Sequence, residues 1–192
     1  LSFGNILIPP AFGELASGLS GEGRLPEPLE IVEFLEKYYS KNLPLLGKKV
    51  LISAGPTIEE LDPVRFISNH SSGKMGYALA ETALSLGADV KLISGPTSQS
   101  VSSKNIKLVK IKTGKELHDA IIKDYSDSDI VIMAAAVSDY KPVKFSKKKI
   151  KKDNNELNIK FEKTTDILFE LGQSKKNQIL VGFALENNNE LS

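Results

Sequence analysis

The 192-residue chain contains no cysteine. Structural disulfides, thiolate nucleophiles and cysteine-ligated zinc are therefore excluded from it. It has no apolar run near the roughly 20 residues needed to span a membrane. No basic stretch followed by an apolar one opens the chain as a secretory signal would, so cytoplasm is the default expectation. It also lacks an excess of either charge: 25 Lys and Arg stand against 24 Asp and Glu, a formal +1. That balance creates no field toward nucleic acid or a membrane surface, and neither is expected as a partner. No internal repeat is visible. What the chain does have is 41% hydrophobic residues, the composition of a globular protein. Its length allows one or two domains with a real core.

Texture divides the sequence. "LSFGNILIPPAFGELASGLSGEGRLPEP" is rich in Gly, Pro and Ser, shows little periodicity and reads as loop. "PLEIVEFLEKYYSK" follows, with Ile31, Phe34, Leu35 and Tyr38 at i, i+3, i+4 and i+7. That spacing predicts one amphipathic helix, with Pro28 in its first turn. "NLPLLGKK" reads as a linker. From Lys49, short apolar runs ("VLISAG", "DVKLISG", "IKLVKI", "DIVIMAAAV") alternate with helical stretches at Lys74 to Leu86 and from Thr113. The first and fourth runs lack clean in/out alternation, as strands buried on both faces do. "ELNIKFEK" and "QILVGFALE" add two later strands, with "TTDILFELGQ" a helix between them. The predicted fold is α/β: a Rossmann-like three-layer domain with a mostly parallel sheet. Ligands in such sheets sit beyond the carboxyl ends of the strands, here the loops after Gly55, Gly95 and Val137.

Those loops lack the usual fingerprints. No G-x-G-x-x-G follows the first strand, and no acidic residue ends the second to hold a ribose diol. A dinucleotide-binding protein of the NAD(P) type is thereby disfavoured, and no P-loop is present. Instead a long insertion carries "RFISNHSSGKMG" at the mouth of a helix. Ser71 or Ser72 can serve as an N-cap there. The same small-residue loop can cradle phosphate, because a helix N-terminus presents free N–H groups. Both strand ends carry Gly-Pro-Thr (Gly55-Pro56-Thr57 and Gly95-Pro96-Thr97), which is either a plain turn or part of a ligand edge. The fourth strand ends in alanines, against which a flat ligand can lie, followed by Asp139. That residue is placed to orient a ligand hydroxyl or a metal-bound water. Six lysines (Lys144, Lys147, Lys148, Lys149, Lys151 and Lys152) follow. Such a run is ordinarily a solvated face; it also suits a lid over a polyanion, poorly ordered until phosphate neutralises it.

The strings "LISAGPTIEELDPVRFISNHSSGKMGYALAE", "SGPT", "MAAAVSDYKP", "KIKK" and "VGFALE" together resemble phosphopantothenoylcysteine synthetase, over residues 47 to 192. In bacteria this CTP-dependent ligase of coenzyme A biosynthesis is usually the C-terminal half of a bifunctional protein. The N-terminal half is an FMN-dependent decarboxylase. "GELASGLSGEGRLPEP" resembles the substrate clamp at the end of that half, with Ser17, Gly18 and Arg24 its remnant; Ser17 stands where many members carry a cysteine. The resemblance implies a decarboxylase tail at 1–28, a helix and linker at 29–48, and a synthetase domain at 49–192 that stops short of the usual C-terminus. It implies that CTP, with Mg²⁺ on its triphosphate, activates 4′-phosphopantothenate as an acyl-cytidylate that L-cysteine then attacks. FMN would belong to the half outside this chain. By motif match Asn69 holds the acyl-cytidylate, Arg65 serves amide formation and Lys149 is the mobile catalytic lysine. Ser71, Ser72 and Gly73 form the phosphate turn, while Gly55, Ala135, Ala136, Asp139 and Phe183 lie along the nucleotide. No separate protein metal site is expected. Family members pair through their later strands, so a homodimer or higher homo-oligomer is expected. Thr164-Thr165-Asp166 replaces the family's usual Asn-Pro-Asp, and Asn187 stands where a threonine is usual. The competing readings are an inactive nucleotide-binding assembly module and, further off, an NAD(P) protein.

Overall fold

The computed structural model describes residues 4–15, 17–41, 43–151 and 157–184. It forms two compact units, 1–46 and 47–192.

In the first unit, β1 (Ala11–Glu14) and β2 (Ser20–Arg24) pair antiparallel, with an irregularity between Ala11 and Phe12. The segment reads as loop from its sequence, yet it forms a hairpin. It contains no β-branched alternation; the hairpin pairs Phe12 with Glu22, Gly13 with Gly21 and Glu14 with Ser20. Gly18, left-handed at φ 77°, shapes its tip. There Leu15 donates to the Leu19 carbonyl and Gly18 to the Leu15 carbonyl. Ser17 lies exposed in this turn. Arg24 ends β2 and pairs with Glu27 at 2.9 Å. The expected helix is α1 (Pro28–Ser40), opened by Pro28, with Glu30 accepting the Glu27 N–H.

The second unit contains β3 (Lys49–Ala54), β4 (Ile58–Glu60), β5 (Phe66–Ser68), α2 (Lys74–Ser85), β6 (Asp89–Ser94), β7 (Lys107–Lys110), α3 (Gly114–Tyr125), β8 (Ile130–Met133), β9 (Tyr140–Pro142), β10 (Phe161–Lys163), α4 (Ile167–Gln173) and β11 (Ile179–Gly182). Five strands make one parallel sheet in the order β11-β8-β3-β6-β7. β3 is buried along five of its six residues, as its unbroken apolar run predicts. Its alternate side chains face two helical layers. Leu51 packs with Leu117, Ile121, Ile167 and Leu171 of α3 and α4. On the other face α2 presses close: a Cβ on Gly76 would come within 2.5 Å of the Ala54 side chain. Each fully buried Leu or Ile of this core contributes about 1.5–3 kcal/mol. Thr113 caps α3 by accepting the Glu116 N–H, and Glu116 reaches back to the Lys112 N–H. Between α3 and α4, the His118 ring lies 3.0 Å from Glu170 and 3.1 Å from Asp119. Burial opposes a charge there, yet the two carboxylates prevail and hold its pKa above the ordinary value.

Two short hairpins stand outside the sheet, β4–β5 and β9–β10. The expected later strand in "ELNIKFEK" contracts to Phe161–Lys163, pairing only where Tyr140–Pro142 supplies a partner. Among the described residues, no helix is long and apolar enough to cross a membrane.

Candidate functional site beyond the strand ends

Four carboxyl-terminal loops of the parallel sheet converge at one end, and hydrogen bonds between distant segments hold them. Beyond β3 the chain reverses at Gly55, whose φ of 73° is left-handed. The Gly55 carbonyl accepts the Ala136 N–H at 2.9 Å, and the Thr57 N–H donates to the Ala136 carbonyl at 3.2 Å. β3 and β8 thus stay paired past their formal ends, through a bridge between Pro56 and Ala136. Thr57 is fully buried. Its Oγ1 accepts the Ser138 N–H at 3.0 Å, and its carbonyl accepts the Ser68 hydroxyl at 2.7 Å. Ala135 donates to the Ser53 hydroxyl. Gly55, Ala135 and Ala136 therefore belong to one hydrogen-bonded edge.

Asn69 joins that edge. Its Nδ2 donates to the Val137 carbonyl at 2.8 Å, and the side chain remains exposed. Asp139 is exposed on the same loop, while its carbonyl accepts the Thr164 N–H. The Thr164 hydroxyl donates to the Ser138 carbonyl at 2.7 Å. Thr164 thus ties the end of β10 to the Ser138–Asp139 loop. Phe183 follows β11, more than half exposed.

The cap of α2 differs from the expectation. Neither serine is the N-cap; Gly73 is, left-handed at φ 75° and without a side-chain cap. A serine Cβ at Gly73 would crowd Thr97, with 3.1 Å to its Oγ1. The serines instead bond locally: Ser71 Oγ accepts the Gly73 N–H at 3.3 Å and Ser72 Oγ the Lys74 N–H at 3.5 Å. From the neighbouring strand end, the Thr97 hydroxyl donates to the Ser72 carbonyl at 2.7 Å. Among the described residues, no protein group takes the N–H of Met75 or Gly76. The helix end can therefore accept an anion.

Arg65 and Lys149 lie off this edge, on the β4–β5 turn and the lysine run. Arg65 Nε and Nη2 both donate to one oxygen, Oδ2, of the buried Asp62 carboxylate, at 3.0 and 2.6 Å, and Nη2 also reaches the Ile150 carbonyl at 2.7 Å. The lysine run is attached at two points: the Ser146 N–H donates to the Leu61 carbonyl and the Ile150 N–H to Asp62. Lys149 is exposed, without an ion pair or hydrogen bond among the described residues. Lys152 and Asn187 lie outside the described residues. Sequence reasoning missed Asp62. Its signal was available: an Asp-Pro pair two residues before a free N–H is a turn signature. Ser17, Gly18 and Arg24 belong to the first unit.

Residues 45–192 match the model of the DNA/pantothenate metabolism flavoprotein C-terminal domain. The chain belongs to this family. It is 48% identical over 196 residues to a cysteine/cysteine sulfinic acid decarboxylase of an unknown prokaryotic organism, covering all of this chain and 55% of the relative. It is 47% identical over 185 residues to the coenzyme A biosynthesis bifunctional protein CoaBC of Bacillus subtilis (strain 168), covering 95% and 46%. The chain thus spans about half the length of the curated relatives it matches. Among solved structures, the C-terminal domain of a CoaBC aligns at 44% identity and TM-score 0.68, over 77% of this chain and 69% of that one. Membership of the flavoprotein C-terminal domain family agrees with the parallel sheet and with the resemblance read from "SNHSSGKMG".

Proposed function

We propose that this chain is the ligase portion of a phosphopantothenate–cysteine ligase of coenzyme A biosynthesis, working in the cytoplasm. CTP, carrying Mg²⁺ on its triphosphate, activates the carboxylate of 4′-phosphopantothenate. L-cysteine then attacks the acyl-cytidylate through its amine and expels CMP. Every step gathers anionic oxygens, so fixed donors and cations are the chief catalytic resource. The observation that supports this most directly is the open N-terminus of α2, framed by Ser71, Ser72 and Gly73 beside the ends of β3 and β6. It fits a phosphate group, with the Met75 and Gly76 N–H groups as donors. Asn69, tied to Val137 beside Ala135 and Ala136, would meet the acyl-cytidylate. Asp139 and Phe183 flank the place left for the nucleoside. Lys149 would bring a free positive charge to the leaving pyrophosphate. Mg²⁺ would enter with CTP, carried on its triphosphate. FMN belongs to a decarboxylase half, of which residues 1–28 would be the tail. A homodimer through the β9–β10 hairpin completes the proposal, since Tyr140, Val143, Phe145 and Phe161 are exposed there.

Pyrophosphate release from CTP tests this reading. The purified chain should release it only with 4′-phosphopantothenate present, and should form the cysteine amide when L-cysteine is added. Asn69→Asp places a carboxylate beside an anionic intermediate, and turnover should be lost while the melting temperature stays unchanged. Release that ignores 4′-phosphopantothenate, or an Asn69→Asp protein with wild-type rates, would sink the proposal. A second reading rests on the relative named as a cysteine/cysteine sulfinic acid decarboxylase, which matches the whole chain. Under it, CTP is not turned over in any combination of these substrates.

A further inference from the structure

The Asp62 carboxylate lies in a short turn, Asp62-Pro63-Val64-Arg65, yet its side chain has no exposed surface. Its two oxygens do different work. Oδ1 accepts the N–H groups of Val64 at 2.8 Å and Arg65 at 2.9 Å, which is all that the turn requires. Oδ2 accepts Arg65 Nε at 3.0 Å, Arg65 Nη2 at 2.6 Å and the Ile150 N–H at 3.1 Å. The same Nη2 donates to the Ile150 carbonyl at 2.7 Å. One residue of the lysine run is thus held at both its N–H and its C=O, across 85 and 88 residues of sequence. A second attachment lies four residues earlier, where Ser146 donates to the Leu61 carbonyl at 3.0 Å. A turn that only needed closing would not bury a second carboxylate oxygen or spend an arginine on a distant carbonyl. Burial opposes the carboxylate's charge, but the Ile150 and Val64 N–H groups and Arg65 hold its pKa well below the usual range. The run between the two attachments carries Lys147, Lys148 and Lys149, whose charges repel one another. Left to itself, such a segment would extend into solvent.

We infer that Asp62, with Arg65 as its bridge, is a latch that positions the lysine run, fixing the backbone beside Lys149 while leaving its ammonium free. The catalytic purpose of the latch rests on the ligase reading above; the latch itself does not. Asp62 and Arg65 are positioning residues for Lys149 in this scheme, since they act through Ile150.

Asp62→Asn separates the two oxygens. The amide oxygen can still close the turn, while the new N–H₂ faces the Arg65 and Ile150 donors. Hydrogen exchange on the whole chain should show the Ile150 amide exchanging at least roughly tenfold faster, with α2 and α3 unchanged. Pyrophosphate release should fall by a similar factor in kcat, with KM for CTP within about twofold of wild type. In a Lys149→Gln background, Asp62→Asn should add no further loss, because a latch without its lysine has nothing to place. Arg65→Lys keeps the charge but cannot span Asp62 and the Ile150 carbonyl; it should show the same pattern more weakly, and it carries the test if Asp62→Asn does not fold. Unchanged Ile150 exchange in a folded variant would overturn the latch. Lost protection with an unchanged kcat, or a fully additive loss with Lys149→Gln, would overturn positioning. A wild-type chain that releases no pyrophosphate, but loses Ile150 protection in Asp62→Asn, would overturn the ligase reading and leave the latch standing.

Discussion

Gly55-Pro56-Thr57 and Gly95-Pro96-Thr97 are the same tripeptide at the ends of adjacent parallel strands, and the fold puts them to different uses. In the first, Gly55 is left-handed and Thr57 is wholly buried, its hydroxyl oxygen accepting from Ser138. In the second, Gly95 does not adopt positive φ; its lack of a side chain matters because a Cβ would fall 1.7 Å from the Pro56 carbonyl oxygen. Thr97 is half-buried, and its hydroxyl donates to the Ser72 carbonyl and accepts the Gln99 N–H. One threonine joins β3 to β8; the other steadies the turn that opens α2. Identical local chemistry takes its role from what the sheet order places beside it. β3 is central and has β8 on one flank, whereas Thr97 emerges next to the helix that follows β3.

Substitutions can separate the two turns. Gly95→Ala should have the largest effect, because the Cβ meets rigid backbone and only a shift of both turns relieves it. Chemical denaturation should show a loss of about 3 kcal/mol or more. Thr57→Val keeps the shape but strands the buried Ser138 N–H, at about 1–3 kcal/mol. Gly55→Ala forces a left-handed alanine with its Cβ 3.3 Å from the Gly95 carbonyl oxygen, and should cost about 1–2 kcal/mol. Thr97→Val should cost the least stability, about 0.5–1 kcal/mol, and should instead raise KM for CTP by freeing the Ser72-Gly73 turn. If Thr97→Val destabilised the fold as much as Thr57→Val, and left KM alone, the contrast between the turns would collapse.

Much of this architecture was legible in the sequence because burial writes itself into composition. The unbroken apolar run of β3 announced a strand covered on both faces, and the helical stretch read from Thr113 is α3. The loop that opens α2 was legible from its small residues, although the cap fell to Gly73 rather than to a serine. A serine there would have to hold φ 75° and crowd Thr97, and that neighbour is contributed by another strand. The first hairpin escaped notice because its strands carry no alternating apolar pattern: one pair is Gly13 with Gly21, and Phe12 and Glu14 face Glu22 and Ser20. The lysine run read as a loose lid because charge is local and visible. The carboxylate that fastens it is 88 residues away from Ile150.

Those separations also govern when the site can come into being. Asn69 to Val137 spans 68 residues, Thr57 to Ser138 spans 81, and Asp62 to Ile150 spans 88. The β3-α2-β6 unit closes over a much shorter stretch of chain and can form from near neighbours. β8 must instead dock on β3 from about 80 residues away, and it bears the loss of entropy of a long closure before its bonds form. A nascent chain carrying everything through β6 would hold Asn69 and the α2 end, yet have no Val137 to orient the amide. The site is therefore a late product of folding: it appears with the docking of β8, and strain that expels β8 removes it while half the sheet still stands.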